Sequence, residues 1–205
     1  MEQTQPDIKQ TLVPLDQLIS SGIHIGTKFR TKHMAKYIYK INPNGLCVLD
    51  VEKVNDGLKV AAEKLAKYDA QDIVIISRRE NGWIPVKAFA KATGVKHVFA
   101  GRYPAGTVTN PNLDTFFEPK IMLVVDPFPD KNAVKDGLNI GIPIIGLCDS
   151  NNTTENIDII VPCNNKGAKS LGLIFWILAN EYLKAKGLLK DSENLQISVD
   201  DFTSV

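Results

Sequence analysis

Short runs of mainly apolar residues alternate with longer stretches along most of the chain, and this alternation predicts strands and helices in turn. The apolar runs, each a predicted strand, lie at residues 72–77, 97–100, 121–126, 142–148 and 158–162. The predicted helices lie at residues 15–21, 51–68, 83–94, 130–140 and 165–186. Within residues 51–68, for example, Val54, Leu58 and Leu65 fall on one helical face. Buried strands separated by helices predict an α/β fold with a mostly parallel sheet.

The order of these elements predicts a doubly wound sheet with helices on both faces, similar to flavodoxin and Rossmann folds. Residues 37–50 add two short strands around Pro43-Asn44-Gly45, because Asn-Gly accepts the backbone geometry of a tight hairpin. The predicted organisation is an extended amino-terminal arm at 1–14, a single α/β domain at 15–187 that includes this basic hairpin region, and a flexible acidic tail at 188–205.

The charge is nearly balanced overall but uneven along the chain. The 205 residues include 24 Lys and Arg against 23 Asp and Glu, a formal net charge of +1. No acidic residue lies between Asp16 and Asp50. The cations there are Lys28, Arg30, Lys32, Lys36 and Lys40. Phe29, Tyr37 and Tyr39 are interleaved with them, and this mixture is typical of RNA-binding surfaces. A solvated basic loop followed by an edge hairpin is the alternative interpretation.

The fold class invites a search for nucleotide-binding and catalytic motifs, and the sequence contains no complete one. Residues 78–80 are Arg-Arg-Glu, where a dinucleotide-binding fold needs a glycine-rich turn. The three histidines are dispersed and the three cysteines form no C-x-x-C pair, so neither a zinc site nor a disulfide framework is predicted. We expect no catalytic residue, no metal and no cofactor.

Arg78 and Arg79 follow a predicted buried strand, at the sheet edge where doubly wound folds bind ligands. Guanidinium groups suit phosphate oxygens, whereas a salt bridge to a neighbouring acid is the structural alternative. Together with Lys169, these arginines define a rival hypothesis: a small enzyme that binds a nucleotide or a sugar phosphate. A third hypothesis is an interaction module that docks on proteins alone.

The sequence also bears on location. The longest apolar run falls far short of the roughly 20 residues that a membrane span requires. The amino-terminal residues lack the basic start and apolar core of a signal peptide. We therefore expect a cytoplasmic protein that does not associate with membranes.

Three segments resemble, in order, the signature regions of the universal small-subunit ribosomal protein two family, whose eukaryotic members are also called laminin-receptor precursors. They are SGIHIGTKFRTKHMAKYIYKINPNGLCVLDVEKV (21–54), FAGRYPAGTVTNPNLDTFFEPKIMLVVDP (99–127) and GIPIIGLCDSNNTTENIDIIVPCNNKGAKSLGLIFWIL (141–178). The run R-x-P-A-G-T-x-T-N, from Arg102 to Asn110, is similar to the archaeal and eukaryotic branch. The chain has no room for the helical hairpin inserted in bacterial members, so it resembles an archaeal-type member.

The resemblance implies a structural role in the small ribosomal subunit, with ribosomal RNA and other small-subunit proteins as partners and no small-molecule substrate. The residues then expected to bind RNA are Lys28, Arg30, Lys32, His33, Lys36 and Lys40, with Arg78, Arg79, Arg102 and Lys169 as further contacts. Because phosphates dominate the affinity of proteins for RNA, this binding should depend strongly on salt.

Overall fold

The architecture follows the predicted alternation of strands and helices. The computed structural model describes residues 12–190, 195 and 197–203. The helices are α1 (Leu15–Ser20), α2 (Val51–Ala66), α3 (Trp83–Thr93), α4 (Lys131–Ile140) and α5 (Ala168–Ala185). The strands are β1 (Ile38–Ile41), β2 (Cys47–Leu49), β3 (Ile73–Ser77), β4 (His97–Ala100), β5 (Ile121–Val124), β6 (Ile144–Cys148) and β7 (Ile159–Pro162). Short 3-10 helices lie at Ala35–Tyr37, Glu80–Gly82 and Asp200–Phe202.

Strands β3 to β7 form one parallel sheet in the order β4-β3-β5-β6-β7. This is the strand order of flavodoxin-like folds, in which the winding direction reverses once. The reversal places β3 beside β5, and ligands of such folds bind at the carboxyl ends of those two strands. The predicted doubly wound sheet is confirmed. Strands β1 and β2 pair antiparallel, as the hairpin prediction requires.

Alternate side chains of each central strand enter two separate hydrophobic cores. Ile73 and Ile75 of β3 belong to the core formed with α2, α3 and α5. Val74 and Ile76 belong to the core on the opposite face, which α4 covers together with Tyr103 from the irregular segment 101–120. Helices therefore shield both faces of the sheet, which explains why its strands are continuous apolar runs.

Helix α2 shields the outer edge of β7, the last strand of the sheet. A Cβ atom at Gly57 would lie 2.9 Å from Pro162 Cδ and 3.1 Å from the Ile160 carbonyl oxygen, so glycine permits this close approach. At the start of the helix, Asp50 Oδ1 accepts a hydrogen bond from the Glu52 amide at 3.1 Å. The covered edge is one way in which sheet proteins avoid pairing with other chains.

The described part of the predicted arm, residues 12–14, packs on the domain. Val13 is buried, and the Leu12 amide donates a hydrogen bond to Asn55 Oδ1 at 3.0 Å. Residues 1–11 of the predicted arm lie outside the described residues.

The predicted acidic tail, 188–205, packs on the domain at residues 195 and 197–203. Phe202 is fully buried, and the Trp176 indole N–H donates a hydrogen bond to the Ile197 carbonyl oxygen at 2.9 Å. The reason is a short apolar pattern, Leu195, Ile197, Val199 and Phe202, which packs on the first core while Asp200 and Asp201 stay exposed. The prediction of a flexible tail was based on the acidic residues. The apolar residues between them pack on the core and hold the segment in place.

Helix α5 begins at Ala168 rather than at the predicted residue 165. Gly167 occupies the N-cap position, so neither Asn164 nor Asn165 caps the helix. Asn164 Oδ1 instead accepts hydrogen bonds from the amides of Lys166 and Gly167, and this arrangement forms a turn ahead of the helix.

Cys47, Cys148 and Cys163 are free and buried. Burial raises the pKa of the Cys148 and Cys163 thiols well above its usual range, and nearby carboxylates raise it further. These thiols therefore stay protonated at neutral pH and behave as small apolar side chains.

Candidate nucleic-acid interface

The carboxyl ends of β3, β5, β6 and β7 meet at one edge of the sheet, where the following residues form a buried polar network. Asp126 and Asp130 follow β5, Asp149 follows β6, and each is at most 3% exposed. A buried carboxylate is destabilising unless it is paired or hydrogen-bonded. The partners of these three groups therefore determine what the edge can bind.

Asp126 occupies the crevice between β3 and β5 together with a cation. Its Oδ2 accepts a hydrogen bond from Arg79 Nε at 2.5 Å. Its Oδ1 accepts hydrogen bonds from Asn152 Nδ2 at 2.8 Å and from the Phe128 amide at 3.0 Å. Flavodoxin-like folds bind their ligands at this position. In this chain an internal ion pair occupies that position. Of the two possibilities raised by the sequence, Arg79 therefore forms the salt bridge and does not present a free guanidinium group to a phosphate.

Asp149 is paired in a similar way after β6. Lys166 Nζ lies 2.6 Å from Asp149 Oδ2 and donates a second hydrogen bond to Asn151 Oδ1 at 2.9 Å. The Asp149 amide donates to Asn152 Oδ1 at 2.8 Å, and Asp149 Oδ1 accepts from the Ser150 amide at 2.5 Å. The turn at residues 149–152 is therefore fixed from both sides. We call these paired groups after β3, β5, β6 and β7 the strand-end network.

Asp130 has a different environment, with no ion pair among the described residues. Its Oδ2 accepts a hydrogen bond from the Arg78 amide at 3.1 Å. Burial raises the pKa of Asp130, the hydrogen bond from the Arg78 amide opposes this shift, and the neighbouring Asp126 charge adds to it, so that the pKa is about 6. The Arg78 side chain is exposed, and its Nη1 donates to the Pro129 carbonyl oxygen at 3.3 Å.

Residues 26–40, which we call the basic segment, are docked on the strand-end network through their backbone. Ser150 Oγ accepts a hydrogen bond from the Thr27 amide and donates one to the Phe29 carbonyl oxygen, both at 2.9 Å. The Thr31 amide donates to the Ser150 carbonyl oxygen at 3.0 Å, and Thr31 Oγ1 donates to the Asn152 carbonyl oxygen at 2.6 Å. The turn after β6 thus holds part of the chain itself beside the crevice in which other proteins of this fold bind ligands.

The cations of the basic segment extend into solvent. Lys28, Arg30, Lys32, Lys36 and Lys40 are all exposed. Within the part of the chain that the structure describes, none of these five forms an ion pair. The aromatic side chains beside them are also presented, with Phe29 79% and Tyr39 73% exposed. His33 differs, because its Nε2 lies 3.7 Å from Glu155 Oε1 and its Nδ1 lies 3.3 Å from Thr154 Oγ1.

The four predicted contacts outside the basic segment have different environments. Arg78, Arg102 and Lys169 are exposed, whereas Arg79 is held by Asp126. Arg102 follows β4, and Lys169 lies in the first turn of α5. The structure therefore gathers the segment's cations on one loop and hairpin and distributes the other predicted contacts along the strand ends.

Sequence reasoning missed Ser150, Asn152 and Lys166, which position the basic segment or complete the strand-end network. Ser150 and Thr27 are separated by 123 residues, so no local pattern joins them. The available signal was the run of small polar residues directly after a buried strand, which is typical of a structured turn.

Other kinds of site find little support in the described residues. No three His, Cys, Asp or Glu side chains there are grouped closely enough to hold a metal ion. None of the helices in that part of the chain has the length and apolar character needed to cross a membrane. Cavities of about 200 Å³ beside α1 and α5, and of about 280 Å³ between α2 and β7, lie away from the carboxyl ends of the strands.

The domain is flavodoxin-like, but an ion pair occupies its ligand crevice and an exposed basic segment is docked beside it. These features are typical of an α/β binding protein rather than of a nucleotide-binding enzyme. The family model described as Ribosomal protein S2 matches residues 18–116 and 114–185. The chain belongs to the ribosomal protein S2 family. It is accordingly a structural ribosomal protein and not an enzyme, so the hypothesis of a metabolic enzyme is set aside.

Curated relatives agree with this assignment. The chain is 45% identical over 192 residues to the small ribosomal subunit protein uS2 of Nanoarchaeum equitans, covering 94% of this chain and 95% of that protein. It is 43% identical over 194 residues to uS2 of Thermoplasma acidophilum (95% and 97% covered) and 43% identical over 194 residues to uS2 of Picrophilus torridus (95% and 96% covered). The family resemblance found in the sequence motifs, and its archaeal type, are confirmed.

Proposed function

We propose that this chain, as a structural constituent of the small ribosomal subunit, binds ribosomal RNA through the basic segment. Other parts of its surface contact neighbouring small-subunit proteins, and the protein works in the cytoplasm. The names of its relatives and its family membership support the assignment to the small subunit. The location of the RNA contact rests on the geometry of the chain itself.

The observation that carries this location is the fixed presentation of the cations. Ser150 holds the backbone at Thr27, Phe29 and Thr31, and the Asn152 carbonyl oxygen holds the Thr31 hydroxyl, while the cationic side chains remain exposed. Because the backbone is ordered before RNA arrives, less conformational entropy is lost on binding.

The chemistry of the segment suits folded RNA. Its cations face solvent without acidic residues on the same stretch, so each can approach a phosphate and release counterions from the RNA. The major groove of an RNA helix is too narrow for side chains to read, so recognition of this kind follows the shape of the backbone. Phe29 and Tyr39 add rings that suit unpaired bases beside such a helix.

The test is the combined substitution Lys28→Ala, Arg30→Ala and Lys32→Ala, with affinity measured for the small-subunit ribosomal RNA of Thermoplasma acidophilum by filter binding across a salt series. We expect affinity at low salt to fall by about tenfold or more. The slope of log affinity against log salt should become shallower by about two to three units, because three phosphate contacts are lost.

The matched control is Lys87→Ala, Lys91→Ala and Lys135→Ala, which removes the same charge from exposed positions on α3 and α4. This control should retain nearly the wild-type slope. Equal losses in both triple variants would show that binding reports net charge alone, and an unchanged slope in the first variant would refute the assignment of the basic segment.

A further inference from the structure

A further exposed aromatic residue lies at the strand ends, outside the basic segment. Phe128 is 56% exposed in the turn between β5 and α4. A single exposed apolar side chain is common on protein surfaces and needs no explanation by itself. Phe128 is unusual because its backbone is held rigidly and cations flank its ring.

The rigidity comes from both neighbours and from the strand-end network. Pro127 and Pro129 fix the backbone dihedral angle φ on either side of Phe128. The Phe128 amide donates a hydrogen bond to Asp126 Oδ1 at 3.0 Å, and Arg78 Nη1 donates to the Pro129 carbonyl oxygen at 3.3 Å. The backbone that carries the ring is therefore held in place before any partner binds.

The charges around the ring favour an anionic partner. Lys131 Nζ lies 4.6 Å from the Phe128 ring centroid, in a cation–π contact, and the Arg78 side chain is exposed beside the same turn. The carboxylates of this turn, Asp126 and Asp130, are buried and accept hydrogen bonds within the protein. The surface of the turn is accordingly aromatic and positive.

Hydrogen bonds through buried residues connect this turn to the basic segment. The Phe128 amide and Asn152 Nδ2 both donate to Asp126 Oδ1, at 3.0 and 2.8 Å. The Asn152 carbonyl oxygen in turn accepts from Thr31 Oγ1 at 2.6 Å. Three hydrogen bonds thus connect Phe128 to the segment that carries the proposed RNA contact.

We propose that Arg78, Phe128 and Lys131 form a second RNA contact, in which the Phe128 ring stacks on an unpaired base and the two cations bind flanking phosphates. The inference rests on the proposed function and extends its RNA surface across the ends of β5 and β3. Lys131 lies over the ring, which is nevertheless more than half exposed, and single-strand binding proteins combine cations with aromatic rings on which bases stack. A protein partner would require further apolar neighbours, whereas this turn offers prolines and cations.

The test compares Phe128→Ala, Phe128→Leu and Phe128→Trp in the same filter-binding assay with Thermoplasma acidophilum small-subunit ribosomal RNA. Loss of stacking should reduce affinity by about tenfold in the Ala and Leu variants, while Trp retains it. The salt slope should stay at the wild-type value in all three. Combined Arg78→Ala and Lys131→Ala should instead make the slope shallower by about one to two units. Leu138→Ala, at an exposed apolar position on α4, is the control and should bind as the wild type does.

Two outcomes would overturn the inference. Wild-type affinity in Phe128→Leu would exclude stacking. Wild-type affinity for RNA in Phe128→Ala, combined with its loss from small subunits in sedimentation gradients, would assign the turn to a protein neighbour. The triple variant of Lys28, Arg30 and Lys32, measured alongside, separates the two proposals. If it loses affinity while the Phe128 variants do not, this inference alone fails, and if it binds normally, the proposed function fails.

Discussion

Two groups of cations occupy the same edge of this molecule in opposite ways. In the strand-end network, Arg79 and Lys166 contact the buried carboxylates of Asp126 and Asp149 at 2.5 and 2.6 Å. In the basic segment, five cations are exposed, and no ion pair holds them within the described residues. The first group neutralises charge inside the protein, while the second group remains available to a partner.

The paired cations of the strand-end network and the exposed cations of the basic segment depend on each other. The paired cations allow acidic residues to be buried at the strand ends, and those acidic residues fix the turn on which the basic segment is docked. A net charge of +1 conceals this division, because the buried acids are paired with cations inside the protein while the cations of the basic segment are unpaired within the described residues. In nucleotide-binding enzymes of this fold, the same edge holds a ligand.

The largest effect is expected when one paired cation and one exposed cation are removed in separate variants. Arg79→Ala leaves Asp126 buried without its cation, so the free energy of unfolding should fall by about 2–4 kcal/mol. Lys28→Ala removes an exposed side chain and should change that free energy by less than about 0.5 kcal/mol. Urea denaturation of both variants measures the difference. Equal denaturation midpoints would show that the two groups do not differ energetically.

Sequence patterns predicted most of the fold because buried positions are occupied by apolar residues at regular spacings. Each central strand is an apolar run, and the hairpin follows from the turn at Asn44-Gly45, where Gly45 has a φ of +85°. The carboxyl-terminal segment was predicted poorly, since its apolar residues are few and its contacts with α5 depend on the tertiary fold. Phe202 is buried because α3 and α5 both pack against the short helix that carries it.

The candidate site could be predicted in part, and the limit is again the range of the contacts. The basic segment is visible as a run of residues without acids. Arg78 and Arg79 are adjacent in sequence, yet one is exposed and the other pairs with Asp126, 47 positions away. Arg79 rather than Arg78 faces inward because of the position of the Asp126 carboxylate after β5. This position depends on the tertiary fold and cannot be predicted from composition.

Asp130 allows paired and unpaired buried acids to be compared. It is buried at the same edge of the sheet and forms no ion pair within the described residues. Its pKa is raised by burial to about 6, from an ordinary value of 3.8. Folding therefore favours its protonated form, and the stability that this form contributes is lost as pH rises through about 6. Asp130→Asn stays neutral and can still accept the Arg78 hydrogen bond. From pH 4 to pH 8, the variant should gain about 2 kcal/mol in unfolding free energy relative to the wild type.

Urea denaturation at several pH values measures this gain. The control is Asp114→Asn, at an exposed carboxyl group, for which the difference from wild type should stay nearly constant over the same range. A constant difference for Asp130→Asn would mean that the carboxylate is as well accommodated by the Arg78 amide as by a cation, and the contrast between paired and unpaired acids would not hold.

The smallest predicted effect isolates how the two groups are coupled. Ser150→Ala removes the hydroxyl that accepts from the Thr27 amide and donates to the Phe29 carbonyl oxygen, yet it leaves every cation in place. Affinity for small-subunit ribosomal RNA should fall by about fivefold, roughly 1 kcal/mol, because the segment must be ordered on binding. The salt slope should keep its wild-type value, since the number of phosphate contacts is unchanged. Ser20→Ala, at an exposed position on α1, is the matched control. A shallower slope in Ser150→Ala would mean that the turn after β6 contributes contacts rather than position.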